Sequence, residues 1–315
     1  MTMASPDLAE LARKTRSVRE AGLALIIASS ILALFLFIPL TPKEGGQEQA
    51  REAIPVPILT STPLGAQAAI VYDVATRQTL YEKNADAQLP LASLTKLLTI
   101  YAALRELSPQ TPITISQVAA GAEYPNAFTV GDTFMLSDVA RLTLTASLND
   151  GAAAIAEAAA EREGRSTADM LAGAAASLEL SQTYALNGSG LDLSTAVSGG
   201  YGSARDIALL AGAFAKTSPD IALATTASVA EAVSLDGTAF RVKNTDPITG
   251  LIPRLLLSKT GYTDLAGGNL ALVFDAGINH PIAIIVLGSS KDARFTDGMS
   301  LVSATMAYFA GIPSP

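Results

Sequence analysis

Apolar positions along the chain fall into three regimes. The first is one uninterrupted run, Ala21 to Leu40, reading AGLALIIASSILALFLFIPL with no charged residue. A helix of this length spans about 30 Å, the thickness of a bilayer's hydrocarbon core. Arg13, Lys14, Arg16 and Arg19 precede the run, and the mixed set Lys43, Glu44, Glu48, Arg51 and Glu52 follows it. The run predicts one transmembrane helix. The positive-inside rule then places residues 1–20 in the cytoplasm and everything after Leu40 outside. A cleaved signal peptide is the competing reading, but its apolar region is shorter, about 7–15 residues, and ends at a small-x-small site. The one clear A-x-A downstream, Ala66-Gln67-Ala68, lies far from the run and within the first predicted strand.

The second regime, 41–65, has no period and is dominated by Pro, Gly, Thr and charge. It predicts a flexible linker with an r.m.s. reach of about 25–30 Å. The third, 66–315, is periodic throughout and predicts the globular part. AAIVYD (68–73) and QTLYEK (78–83) flank a polar turn and predict a hairpin. Leu94, Leu97, Leu98 and Tyr101 keep 3-4 spacing and predict a helix over 93–107. Further helices are expected around 136–147, 150–163, 166–179 and 203–216, with Ser137, Ser166 and Ser203 as N-caps. A small hairpin is expected over 233–242 across Asp236-Gly237. Apolar strands follow at 255–261, 268–276 and 281–289, the last two joined across Gly277–His280, and then a helix over about 296–310. Strands at both ends with helices between them predict an α+β fold, in which one sheet is built from the two chain ends and a helical insertion sits beside it.

Composition narrows the chemistry. The chain of 315 residues has no Cys, so disulfides, thiol catalysis, iron–sulfur clusters and Cys-based zinc sites are excluded. One His, His280, is available, so a multi-His metal site is excluded too. No metal or organic cofactor is called for. The net charge of −8 argues against a nucleic-acid partner, which needs a basic face. Ala and Leu supply most of the bulk and Trp is absent, which favours helix.

Three short motifs carry the candidate chemistry. Ser93-Leu94-Thr95-Lys96 is the only S-x-x-K, Ser147-Leu148-Asn149 the only S-x-N, and Lys259-Thr260-Gly261 the only K-[ST]-G. Each sits in a fitting context. Ser93 is expected to open a helix, which leaves its N–H unpaired, and Lys96 returns to the same face one turn later. That pairs a nucleophile with a base. Ser147 and Asn149 fall between two predicted helices, where a loop can reach a cleft from the helical side. Lys259-Thr260-Gly261 ends an apolar strand, and Gly261 lets a substrate backbone approach it.

In this order the motifs form the penicillin-binding-protein and β-lactamase signature. Over about residues 67–312 the chain resembles the low-molecular-mass penicillin-binding proteins, the serine-type D-alanyl-D-alanine carboxypeptidases. The stretches LYEKNADAQLPLASLTKLLT, SLNDGAAAIAEA, NGSGLDLSTAVSGGYGSARDIALLA and SKTGYTDLAGGNLAL carry the likeness beyond the motifs. The resemblance implies the transpeptidase fold of that family: a mainly antiparallel sheet flanked by helices, plus a helical subdomain. It implies that Ser93 attacks the carbonyl of the penultimate D-Ala of a peptidoglycan stem peptide, forming an acyl-enzyme. Lys96 takes the serine proton, and burial and the nearby Lys259 favour the neutral amine this requires. Ser147 relays a proton to the leaving amine, and Asn149 holds the substrate amide. Lys259 and Thr260 bind the terminal carboxylate, with Arg294 assisting. The N–H groups of Ser93 and Tyr262, beside Gly261, form the oxyanion hole. β-Lactams are the implied inhibitors.

The chain departs from the family in places. Many relatives carry a β-rich stalk after the catalytic domain and a C-terminal anchor, whereas this chain has its apolar run near the N-terminus. Leu148 stands where the family often has a small residue, so an altered cleft wall is expected there. Tyr262 stands where some relatives have His. Other residues read more plainly: His280 as a surface turn residue, Asp150 as an anion complementing a helix dipole, and Ala153–Ala160 as core. Tyr124-Pro125-Asn126 reads as a decoy of the family's Y-x-N. A D,D-endopeptidase acting on cross-links shares the motifs and remains open. A β-lactamase of the most similar type needs a Glu four residues before an Asn, and Thr183 occupies that place before Asn187. A non-catalytic sensor of wall peptides is the alternative from another class, and intact Ser93 and Lys96 speak against it.

Overall fold

The computed structural model describes residues 63–311. The expected anchor, the segment before it and 41–62 of the expected linker lie outside the described residues. Among the described residues no helix is long and apolar enough to cross a membrane. The folded unit begins earlier than the expected boundary at 66. Gly65 donates its N–H to Asp297 Oδ1 at 3.0 Å, and the Leu64 carbonyl accepts from Lys83 Nζ at 3.1 Å. Leu64 also packs against the core, so its apolar side chain draws the end of the linker onto the domain. Ala66 and Ala68, the candidate A-x-A, are 1% and 0% exposed.

The strands are β1 (Ala68–Asp73), β2 (Gln78–Lys83), β3 (Leu89–Pro90), β4 (Pro112–Thr114), β5 (Thr133–Met135) and β6 (Tyr184–Ala185). They continue as β7 (Gly200–Gly202), β8 (Val229–Val233), β9 (Ala239–Lys243), β10 (Leu255–Thr263), β11 (Gly267–Asp275) and β12 (Pro281–Ser289). The helices are α1 (Thr95–Glu106), α2 (Gln117–Ala120), α3 (Leu136–Ala146), α4 (Asn149–Glu163) and α5 (Thr167–Ser177). After them come α6 (Ala204–Thr217), α7 (Pro219–Ala224) and α8 (Ala293–Phe309).

The main sheet has the order β10-β11-β12-β1-β2 and is antiparallel throughout. The chain ends meet in its middle, where Ile70 pairs with Ile285. Both faces are covered, which is why β11 and β12 read as continuous apolar runs rather than alternating ones. Ile70, Leu257, Val273 and Ile285 point to one face, where they join α1, α4 and α6 in the larger core. Val71, Leu272, Ile284 and Val286 point to the other and pack under Leu301 and Val302 of α8. The helices α1 to α5 form the expected insertion. β10 is an edge strand, so one side of its backbone is open toward the cleft.

Ser166 and Ser203 cap their helices as expected, accepting from the N–H groups of Asp169 and Asp206. Ser137 does not cap α3, because Met135 holds that position. The N–H groups of Leu136 and Ser137 instead reach the carbonyls of Thr111 and Pro109, so the junction needs no side-chain cap. The last helix starts at Ala293, earlier than expected, which places Arg294 in its first turn. His280 does lie in the β11–β12 turn, yet it is not a free surface residue. Its Nε2 is 2.6 Å from Asp73 Oδ2, and its ring packs on Phe309. This clamp sits at the end of the sheet away from Gly261.

Candidate active site

Ser93 does not open an α-helix directly. It occupies a short 3-10 turn, Ala92–Leu94, which leads into α1. Ala92 takes φ +47°, left-handed for a residue with a Cβ, at a cost of order 1–2 kcal/mol. Neighbours hold the turn in place. Leu91 donates its N–H to the Gly200 carbonyl at 2.9 Å, and Asn269 Nδ2 reaches the Pro90 carbonyl at 3.0 Å. Gly261 of β10 lies directly against the turn: a Cβ there would sit 3.0 Å from Leu91 O and 3.2 Å from Ser93 N. The close approach at Gly261 is therefore made by the chain's own nucleophile turn, a stronger reason for glycine than the substrate approach expected. It also brings the Ser93 backbone beside Gly261-Tyr262, the two expected sources of oxyanion donors.

Lys96 is fully buried, and its Nζ has three partners: Ser93 Oγ at 2.7 Å, Asn149 Oδ1 at 2.7 Å and the Ser189 carbonyl at 2.9 Å. Two of these can only accept. In the neutral amine both N–H groups are therefore committed to Asn149 and Ser189, and the lone pair is left facing Ser93 Oγ. Burial pushes Lys96 down to about 7, against the opposing pull of Asp150.

Ser147 closes α3 with φ +61°, and Asn149 opens α4. Ser147 Oγ accepts from Lys259 Nζ at 2.8 Å, and the same Nζ donates to the Thr260 carbonyl at 2.7 Å. Lys259 is 1% exposed. Burial, then the neighbouring Lys96 and Arg294, push it well below the lysine range, while Asp246 opposes. Two ammonium groups in one buried site disfavour each other. Of the two influences the sequence suggested for Lys96, burial is the main one. Arg294 is also buried; its Nη1 donates to the Gly261 carbonyl at 2.5 Å, and burial lowers its pKa. It thus holds the strand that carries Gly261, so the contact seen is with that backbone. Tyr262 is 44% exposed at the cleft edge, with Lys291 Nζ 5.4 Å above its ring.

Leu148 points inward, 3% exposed within the larger core. The expected change in the cleft wall is not there, because the residue between Ser147 and Asn149 faces the core rather than the cleft. None of the side chains of Tyr124-Pro125-Asn126 joins the site, and Tyr124 is 84% exposed. The backbone of that loop does take part, however. The carbonyls of Glu123 and Pro125 accept from Asn149 Nδ2 at 2.9 Å and from its N–H at 2.6 Å. Asp150 secures the same loop by accepting from the N–H groups of Ala127 and Phe128, both at 2.7 Å. It is thus a buried tie between loop and helix, more than a dipole partner.

Sequence reasoning missed several residues. Ser189 contributes a backbone carbonyl, which leaves no side-chain signature. Asn187 shapes that loop by accepting from Ser189 N and Gly190 N, and the Asn-Gly dipeptide was its only signal. Thr245 and Asp246, on the approach to β10, bond to Thr260 and Ser258. Nothing in their local pattern marks them.

The sequence profile described as Peptidase S11, D-alanyl-D-alanine carboxypeptidase, matches residues 57–291. The chain belongs to this family. It is a serine hydrolase of the D-alanyl-D-alanine carboxypeptidase type. A D-alanyl-D-alanine endopeptidase of Pseudomonas aeruginosa is 27% identical over 278 residues, covering 86% of each chain. Penicillin-binding protein D2 of Listeria monocytogenes, solved in an ampicillin-bound form, is 27% identical with a TM-score of 0.66, covering 78% of this chain and 98% of that one. The D-alanyl-D-alanine carboxypeptidase DacD of Francisella tularensis, at 21% identity and a TM-score of 0.69 over 84% of this chain and 75% of that one, shares the fold.

Proposed function

We propose that the protein is a membrane-anchored D,D-carboxypeptidase that removes the terminal D-Ala from peptidoglycan stem peptides through an acyl-enzyme on Ser93. The observation that carries this reading is the 2.7 Å contact from Lys96 Nζ to Ser93 Oγ, with the two other partners of Lys96 restricted to accepting. The substrate's terminal carboxylate meets Lys259 and Thr260, with Arg294 behind them, and its charge keeps Lys259 protonated. Repulsion from that ammonium then favours the neutral form of Lys96. Ser93 Oγ attacks the penultimate carbonyl as its proton passes to Lys96, an assistance worth about 10²–10⁴-fold. The Ser93 and Tyr262 N–H groups receive the oxyanion, each worth about 10²–10³-fold. Ser147, bonded to Lys259, relays the proton held by Lys96 to the departing amine, which leaves Lys96 neutral again, while Asn149 holds the substrate amide. Water then cleaves the Ser93 ester. β-Lactams are inhibitors in this reading, since they acylate the same serine. The apolar run 21–40 and the charges flanking it support a single-pass anchor in the cell membrane, with the catalytic domain on the outer face.

The Pseudomonas relative favours a second reading, an endopeptidase acting on cross-linked stem peptides. The deciding experiment treats a peptide ending in Lys-D-Ala-D-Ala, and a cross-linked peptide dimer, with the detergent-solubilised full chain and its Ser93→Ala variant, followed by mass spectrometry. Loss of one D-Ala from the monomer by the unmutated protein alone is expected. Cleavage of the dimer only would replace the carboxypeptidase reading with the endopeptidase one. Cleavage of neither would leave a non-catalytic binder. Proteolytic shaving of spheroplasts tests the anchor: a domain resistant outside and cleaved only after lysis would overturn the orientation.

A further inference from the structure

Thr260 is 4% exposed, and its hydroxyl has one hydrogen-bond partner among the described residues, Thr245 Oγ1 at 2.6 Å. Two hydroxyls at that distance share one hydrogen, so one donates and the other accepts. Among the described residues the other acceptor near Thr245 Oγ1 is the Thr145 carbonyl at 3.5 Å, at the limit of a hydrogen bond. Either hydroxyl can donate in the free protein; once a carboxylate accepts from Thr260 Oγ–H, the pair is left with Thr245 as the donor. In that direction the hydrogen of Thr260 has no partner among the described residues and is available to the carboxylate. An accepting hydroxyl is also polarised into a better donor.

Thr245 is held firmly for this task. Its N–H donates to the Thr145 carbonyl at 3.1 Å, on the last turn of α3 and two residues before Ser147. The neighbouring residues anchor the segment on both sides. Asn244 Nδ2 reaches the carbonyls of Thr225 and Ala227 at 2.6 and 2.8 Å. Asp246 accepts from Ser258 Oγ at 2.5 Å and from the Ile248 N–H at 2.8 Å. The segment 244–246 thus bridges the helical half, through Thr145, and the sheet half, through Ser258 and Thr260. Thr245 itself is exposed.

We propose that Thr245 is a positioning residue that sets the preference for substrates with a free terminal carboxylate: its hydroxyl orients and polarises Thr260 Oγ–H toward that carboxylate. The proposal rests on the reading of Thr260 as a carboxylate contact. A neutral or amide-extended substrate gains little from the oriented donor, so Thr245 acts on the choice between chain-end and internal bonds.

The test compares Thr245→Val and Thr245→Ser with Thr260→Val in the full-length protein. The substrates are an acyl-D-Ala-D-Ala peptide and the same peptide amidated at its C-terminus. Valine keeps the shape and the backbone N–H bond to Thr145 but removes the hydroxyl. Thr245→Val should raise KM for the free-acid peptide about fivefold, the loss of the one neutral hydrogen bond that orients the Thr260 donor. It should leave kcat and the amidated substrate within about twofold, and Thr245→Ser should restore the unmutated values. Equal losses on both substrates would mark a merely structural role and overturn the proposal. So would an unchanged KM in Thr245→Val where Thr260→Val raises it. If Thr260→Val leaves the discrimination intact as well, the carboxylate reading of Thr260 fails and the proposal falls with it.

Discussion

Gly261→Ala is the substitution whose outcome the packing defines most sharply. The new methyl would stand 3.0 Å from Leu91 O, 3.2 Å from Ser93 N and 3.3 Å from Ala92 Cβ. Ordinary contact begins near 3.4 Å, so β10 and the nucleophile turn must separate by about 0.2–0.4 Å. Neither side yields easily. The turn is tied to Gly200 and Asn269 and already carries the left-handed Ala92, while β10 is paired along β11. Overpacking of this kind costs typically about 1–3 kcal/mol. A 1 Å misplacement at a reacting centre costs about a hundredfold, so a shift of a few tenths should slow acylation by roughly 3–6-fold. The assay is the pre-steady-state rate of penicillin acylation, read by mass spectrometry, beside thermal unfolding. Gly237→Ala is the control. It introduces a Cβ at φ +91° with nothing within 4 Å, so it should lower stability by about 1–2 kcal/mol and leave acylation alone. An unmutated acylation rate in Gly261→Ala, with equal stability loss in the two variants, would refute the close-approach reasoning.

Other outcomes follow from the same geometry. Because Lys96 acts as the neutral amine and burial holds it near 7, kcat/KM should rise with pH through about 7; in Asp150→Asn, where the charge opposing deprotonation is gone, the limb should move to lower pH. The same shift makes Lys96 a pH-dependent load on stability: the unfolded chain binds the extra proton between about 7 and 10.5, so stability from this group rises with pH across that window. Denaturant titrations at pH 7 and pH 9 should show the difference, and it should be smaller in Lys96→Met, where the share of the buried Lys259 remains. Lys259→Ala should weaken binding of free-carboxylate peptides far more than of amidated ones, and equal losses on both would count against its role. Leu148→Ala should cost about 2–5 kcal/mol of stability, as expected for a core side chain, and a selective loss of substrate affinity at unchanged stability would return Leu148 to the cleft wall.

The local chemistry of this chain was legible residue by residue. Period and turn residues located the helices and strands within a few positions, and the burial of β11 and β12 on both faces was implicit in their unbroken apolar runs. The three motifs singled out Ser93, Lys96, Ser147, Asn149, Lys259 and Thr260, and their roles came with the family resemblance the motifs carry. The sequence already marked Tyr124-Pro125-Asn126 as a decoy, but it could not show that the backbone of its loop holds Asn149 in place. Nor could it tell that Leu148 points inward or that His280 is clamped by Asp73. Those outcomes depend on which face of each element is covered, and partners far apart in the chain decide that. Tertiary structure also supplied what has no side-chain signature: the Ser189 carbonyl on Lys96, the Gly261 backbone against Ser93, and the hydroxyl pair of Thr245 and Thr260. Backbone groups are the same in every residue, so their placement is decided only when the fold closes. The depressed pKa of Lys96 has the same origin, since burial is a property of the assembled cleft and not of the lysine.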